Sequence, residues 1–109
     1  MNVIFSPEVE EYLFELTEIL YEKGYFGFKE SAVQYVKDLI SDIRANLPTS
    51  VKRTAPDYFS KYGSKLLFSM FKKSKTTQWY VFFNLYEDRG ELTYLVRYVS
   101  NNHIIAQYL

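Results

Sequence analysis

The residues best placed to do chemistry lie near the C-terminal end of the chain. Tyr94-Leu95-Val96-Arg97-Tyr98-Val99-Ser100-Asn101-Asn102-His103 reads as a β-type run and contains the only histidine among 109 residues. If that strand runs straight, its two-residue period places Arg97, Val99, Asn101 and His103 on one face. A fixed cation, an amide and the one side chain that titrates near neutrality would then stand in a row. Such a row can hold an anion and move a proton beside it. Further cations come from an earlier segment: Lys61, Lys65, Lys72, Lys73 and Lys75.

Those cations belong to a segregated charge pattern hidden under a net charge of zero. Residues 1–45 carry nine acids against four bases, and residues 46–75 carry seven bases against Asp57 alone. Two readings follow: ordinary solvated helix faces beside a basic loop, or a basic platform for a polyanion backed by an acidic helical layer. Each candidate also has a plainer role. His103 could hydrogen-bond the neighbouring loop, and Arg97 could pair with Glu91 or a helix carboxylate. Lys65 could point to solvent, and the lysines at 72, 73 and 75 could simply solvate a turn.

Composition narrows the chemistry. There is no cysteine, hence no disulfide and no thiolate metal site, and no carboxylates cluster with ligand spacing; no cofactor is expected. Eleven Tyr and nine Phe exclude a disordered chain, and exceed what one small core can hold, so some rings must lie at the surface or in an interface. No basic and apolar leader and no long apolar run are present, so the expectation is one soluble domain over residues 1–109, cytoplasmic, with no membrane contact.

The elements that must position the candidate site are legible from punctuation. Residues 2–5 form a short apolar run. Ser6-Pro7-Glu8 then starts a helix, with Ser6 as cap and Pro7 at the first helical position, and Gly24 stops it. Val9, Leu13, Leu16, Ile19 and Leu20, with Tyr12, make its apolar stripe. A second helix runs from Lys29 or Ser31 to Ala45 on Ala32, Val33, Val36, Leu39, Ile40 and Ile43, and ends before Pro48. Residues 48–63 form a polar connection anchored by Tyr58, Phe59 and Tyr62. Strands are expected at 64–72, 77–86 and 92–100, with turns at Lys72–Lys75 and Asp88-Arg89-Gly90. The order β-α-α-β-β-β predicts an α+β fold, a helical hairpin packed on a mainly antiparallel sheet.

That order and length resemble the RelE/ParE superfamily of type II toxin–antitoxin toxins, also known as plasmid stabilisation proteins. Val3-Ile4-Phe5-Ser6-Pro7-Glu8-Val9 is similar to the family's first strand followed by S-P-x-A/V. Ile43-Arg44-Ala45-Asn46-Leu47-Pro48 is similar to its I-x-x-L-x-x-x-P helix ending. Residues 77–85 occupy the place of its Y-R-I-x-Y-x-I strand, and Leu95 to His103 that of a terminal strand ending in h-x-R-I-x-H. The chain departs from the family in its neutral charge, in Trp79-Tyr80 where an arginine usually stands, and in Ile104-Ile105 after the histidine.

The resemblance implies functions. Its RelE branch implies ribosome-dependent mRNA cleavage, in which a 2′-hydroxyl attacks the adjacent phosphate and the leaving 5′-oxygen is protonated. His103 would transfer the proton, and Arg97 with Lys65 (or Lys61) would stabilise the developing charge. Lys61, Lys72, Lys73 and Lys75 would hold the RNA backbone, and exposed rings among Trp79, Tyr80 and Tyr98 would stack on unpaired bases. The ParE branch implies inhibition of DNA gyrase without hydrolysis, which the missing arginine favours. A third expectation is a toxin-like domain that only binds protein. In each case a cognate antitoxin is the implied partner, covering the helical layer and a sheet edge.

Overall fold

A computed structural model describes all residues from Met1 to Leu109. Its elements are β1 (Asn2–Phe5), α1 (Pro7–Glu22), α2 (Lys29–Asn46), β2 (Arg53–Thr54), β3 (Leu67–Lys72), β4 (Gln78–Asp88), β5 (Glu91–Asn101) and α3 (Asn102–Ile105). Short 3-10 segments at Leu47–Thr49, Asp57–Tyr62 and Ala106–Tyr108 complete the chain.

The helices form where capping chemistry and periodicity agree. The Ser6 hydroxyl accepts from the Val9 amide at 3.3 Å, Pro7 needs no partner for an absent N–H, and Glu8 and Glu10 face the positive end of the helix dipole. Gly24 closes the helix at φ 78°, a left-handed position open to glycine. Val9, Leu13 and Leu16 from α1, and Ala32, Val36, Leu39 and Ile43 from α2, are buried, so the expected stripes are the ones that pack.

The sheet has five strands in the order β1-β5-β4-β3-β2, and the helices cover one face. β1 runs parallel to β5, while the other pairings are antiparallel. The main core lies between sheet and helices, where Phe71, Trp79, Val81, Phe83, Tyr94, Val96 and Val99 meet the helical stripes. A second, smaller core sits on the opposite face, where Phe59, Leu66, Phe82 and Ile105 pack together. The segment after β2 and the chain's last turn therefore cover part of a face that the helices leave open.

Three details differ from the sequence expectation, each for a local reason. β5 is not straight: Phe82 pairs with Tyr98 but Phe83 pairs with Val96, leaving Arg97 as the extra residue of a β-bulge. The strand also stops at Asn101, whose side-chain oxygen accepts from the His103 amide at 3.0 Å and caps α3. His103 therefore stands on a helix, not on the strand face that was expected to carry Arg97, Val99, Asn101 and His103 together. Finally, Lys65 sits in a turn at φ 54° ahead of β3, which begins at Leu67 instead of residue 64. No helix is long and apolar enough to cross a membrane.

Candidate functional site

The bulge decides where Arg97 goes. An extra residue re-aims the side chain, and the half-buried guanidinium lies on the open face, with Nη1 3.4 Å from Asn84 Oδ1. Asn84 is held in turn, since its Nδ2 donates to the Ser64 carbonyl at 2.8 Å. Gly63 lets the loop lie this close: a β-carbon there would stand 3.3 Å from Asn84 Oδ1 and 3.6 Å from Arg97 Cζ.

Arg97 forms a wall shared by two adjoining cavities. One, of about 430 Å³, is lined by Glu8, Tyr12, Lys61, Tyr62 and Tyr98. The other, of about 440 Å³, is lined by Gly63, Ser64, Lys65 and Asn84. The structure thus brings Arg97, Lys61, Lys65 and Tyr98 of the expected site residues to one region. The chain's ion pairs are Met1 with Glu91 and Lys29 with Glu18, so Arg97, Lys61 and Lys65 have no carboxylate partner. Glu91, one candidate partner for Arg97, is occupied by the chain's own amino terminus. The half-buried guanidinium thus stands outside any ion pair, with Glu8 as the one carboxylate in the lining of its two cavities.

Tyrosines frame these cations. Tyr62 stacks on Tyr98 with ring centres 3.9 Å apart, and Tyr58 stacks on Tyr108 at 3.7 Å. The Lys61 ammonium lies 4.2 Å from the Tyr58 ring centre and 5.4 Å from that of Tyr62. A hydrogen bond with Lys61 holds the Tyr58 phenol below its ordinary pKa. The hydrogen bond to Tyr58 holds Tyr108 above it. Burial, with help from Tyr98, pushes Tyr62 up to about 12. Burial likewise raises Tyr12 to about 12, with Tyr98 adding to the effect.

His103 stands elsewhere. It is exposed on α3, with Nε2 3.0 Å from Thr77 Oγ1. It lines a separate cavity of about 400 Å³ with Lys73, Tyr35 and Trp79, in which neither Arg97 nor Lys65 takes part. Lys73 lies 5.5 Å from the centre of the Tyr35 ring. Lys72 is exposed at the outer end of β3 and Lys75 is exposed in the following turn. Trp79 is 1% exposed and donates from Nε1 to Tyr35 Oη at 2.8 Å, so its expected role as a base-stacking ring gives way to core packing. One ring face of Tyr98 is taken by Tyr62.

Sequence reasoning missed Asn84, Gly63, Tyr58, Tyr62 and Tyr108 as members of the site. The spacing Tyr58-Phe59-Ser60-Lys61-Tyr62 carried a signal: in a 3-10 turn residues three apart share a face, so Tyr58 and Lys61 pair outward while Tyr62 follows Phe59 toward the smaller core. No group of three His, Asp or Glu side chains comes together as a metal site. No family model, no curated protein and no solved structure matches the chain.

Proposed function

We propose that the chain is a RelE/ParE-like toxin of a type II toxin–antitoxin system, and that its open sheet face engages the phosphate backbone of messenger RNA on the ribosome. The observation that carries this reading is the Arg97 guanidinium, aimed by a bulge onto the open face, outside any ion pair and flanked by Lys61 and Lys65. Three cations in that setting suit an anion with several oxygens, and the phosphorane of a 2′-hydroxyl attack is such an anion. The helical hairpin on one face and the partly uncovered opposite face suit the family architecture.

His103 transfers the proton in this reading only if substrate spans from the Arg97 cavities to α3, past Tyr12, which lines both the cavity of Arg97 and Tyr98 and that of His103. The alternative, a gyrase inhibitor without hydrolytic chemistry, is favoured by one observation: Trp79, in the strand where family nucleases carry arginine, is sealed in the core. A binding-only domain is the third outcome. A cognate antitoxin is the partner in all three.

Induced expression without a partner, with mapping of mRNA 5′ ends, separates them. Growth arrest with new ends inside translated codons supports the nuclease. Arrest with intact messages and DNA breaks supports gyrase inhibition and overturns the nuclease reading. Absence of arrest overturns the toxin reading. Arg97→Ala and His103→Ala then divide the roles: the nuclease reading expects Arg97→Ala to relieve arrest, and equal toxicity of His103→Ala removes that histidine from the mechanism.

A further inference from the structure

The cavity at His103 combines an apolar interior with several bases and no acid. Its volume of about 400 Å³ falls within the range of small-molecule sites. Leu16 of α1 and Trp79 of β4 are buried at its base, and the half-buried rings of Tyr12 and Tyr35 stand beside them. Lys23, Lys73 and His103 belong to the same lining, which contains no Asp or Glu. Lys23 and His103 are exposed and Lys73 is half-buried, so the bases mark the mouth. None of the three is in an ion pair.

The mouth is built by the chain itself. The Ser74 hydroxyl accepts from the Thr76 and Thr77 amides at 3.3 and 3.1 Å, and the Lys73 amide donates to the Thr77 carbonyl at 3.0 Å. Asn102 of α3 clamps this turn, accepting from the Gln78 amide at 2.8 Å and donating to the Thr76 carbonyl at 3.0 Å. Lys73 and His103 are therefore carried on one tied frame. At the end of α1, the Ile19, Leu20 and Tyr21 carbonyls already accept from the amides of Lys23, Tyr25 and Gly24. Lys23 is thus the charged group that α1 adds to the lining.

We infer that this cavity binds a small aromatic carboxylate. The ring of the ligand lies against Leu16 and Trp79, where it removes apolar surface from water. Its carboxylate stays at the mouth, where Lys73, Lys23 and His103 are the available donors. A nucleotide suits the interior less well, because its base edges and ribose hydroxyls would meet Leu16 and Trp79 without partners. The inference needs no RNA and does not rest on the toxin reading.

The test titrates phenylbutyrate into the full chain, with its neutral amide and adenosine monophosphate as controls. Trp79 is the only tryptophan, so its indole N–H gives one NMR signal that reports on this cavity. Phenylbutyrate is expected to shift that signal saturably, and the amide to bind roughly tenfold more weakly for want of a charged acceptor. Lys73→Gln is expected to weaken the acid by roughly tenfold and leave the amide unchanged, a split that general damage to the fold would not give. If that variant does not fold, Lys23→Gln at the exposed end of α1 decides by the same split. A Trp79 signal that stays still at millimolar probe overturns the inference, as does equal binding of acid and amide. Tighter binding of adenosine monophosphate overturns it in favour of a nucleotide seat. None of these readouts involves RNA cleavage, so this inference and the toxin reading fail separately.

Discussion

Gly63 lies directly against the guanidinium of Arg97: a β-carbon at position 63 would stand 3.6 Å from Arg97 Cζ and closer still to the Asn84 oxygen that Arg97 approaches. The contact ties the connecting segment to the bulge. Gly63→Ala is expected to cost about 1–3 kcal/mol of stability, because φ 158° with ψ 155° suits glycine and the added β-carbon presses on Asn84. On the proposed nuclease reading it is also expected to displace Asn84 and so to weaken binding of single-stranded RNA more than a stability loss of that size explains. Thermal melts run beside RNA titrations check both parts.

Arg97 itself divides charge from shape. Each phosphate contact contributes roughly 0.7 to the slope of log affinity against log salt for a single strand. Arg97→Ala is expected to flatten that slope by about one such contact, whereas Arg97→Lys keeps the slope and loses the fork that grips two oxygens at once. An unchanged slope in Arg97→Ala would remove this residue from the RNA interface.

Two phenols give the fold an alkaline limit. Tyr12 and Tyr62 are raised to about 12 in the folded chain, against an ordinary value near 10 when unfolded. The folded state therefore favours their neutral forms. Their contribution is fully present below pH about 10 and is lost as the pH rises through about 12. Ultraviolet titration of phenolate formation should show Tyr12 and Tyr62 ionising late, along with the raised Tyr108, and Tyr62→Phe should remove one late-ionising ring. Tyr58 behaves in the opposite sense, ionising below its ordinary value because of Lys61. In Lys61→Met that early ionisation should shrink to what the hydrogen bond with Tyr108 sustains.

Trp79 joins the two layers. Its ring is buried among the helix-side core and its Nε1 hydrogen bonds to Tyr35 of α2. Trp79→Phe is expected to cost about 1–3 kcal/mol, since it removes ring volume and leaves Tyr35 Oη without that donor. Tyr35→Phe should cost about 1 kcal/mol, because the indole N–H loses its acceptor. Urea midpoints for the two variants and their double mutant would give the coupling between them.

The helices were legible because capping and periodicity are local: Ser6-Pro7 and Gly24 bracket one stripe, and Pro48 ends the other. The hairpin turn was legible for the same reason, since Arg89 and Gly90 both adopt positive φ. The bulge was not. Register belongs to two strands at once, and nothing in Val96-Arg97-Tyr98 alone says that Phe82 and Phe83 will oppose Tyr98 and Val96. That single extra residue separates Arg97 from the strand face it was expected to share. Asn101 does lie in the strand, but its short polar side chain is also a helix-cap signal, and it ends β5 by capping α3. The ring cluster at Tyr58, Tyr62, Tyr98 and Tyr108 needed three distant segments to meet, which composition foreshadows only as a surplus of aromatics.

The parallel pairing of β1 with β5 has a consequence for how the protein is born. Asn2 to Phe5 find their partners at Thr93 to Val96, nearly the whole chain later. Nascent β1 must therefore wait, unpaired, until β5 has been translated and has cleared the exit tunnel. Loop closure over that separation, together with the late arrival of a strand central to the order β1-β5-β4-β3-β2, makes sheet assembly a late event in synthesis. The Arg97 bulge exists only once β5 has paired with β4, so the setting of that guanidinium is among the last parts of the fold to form.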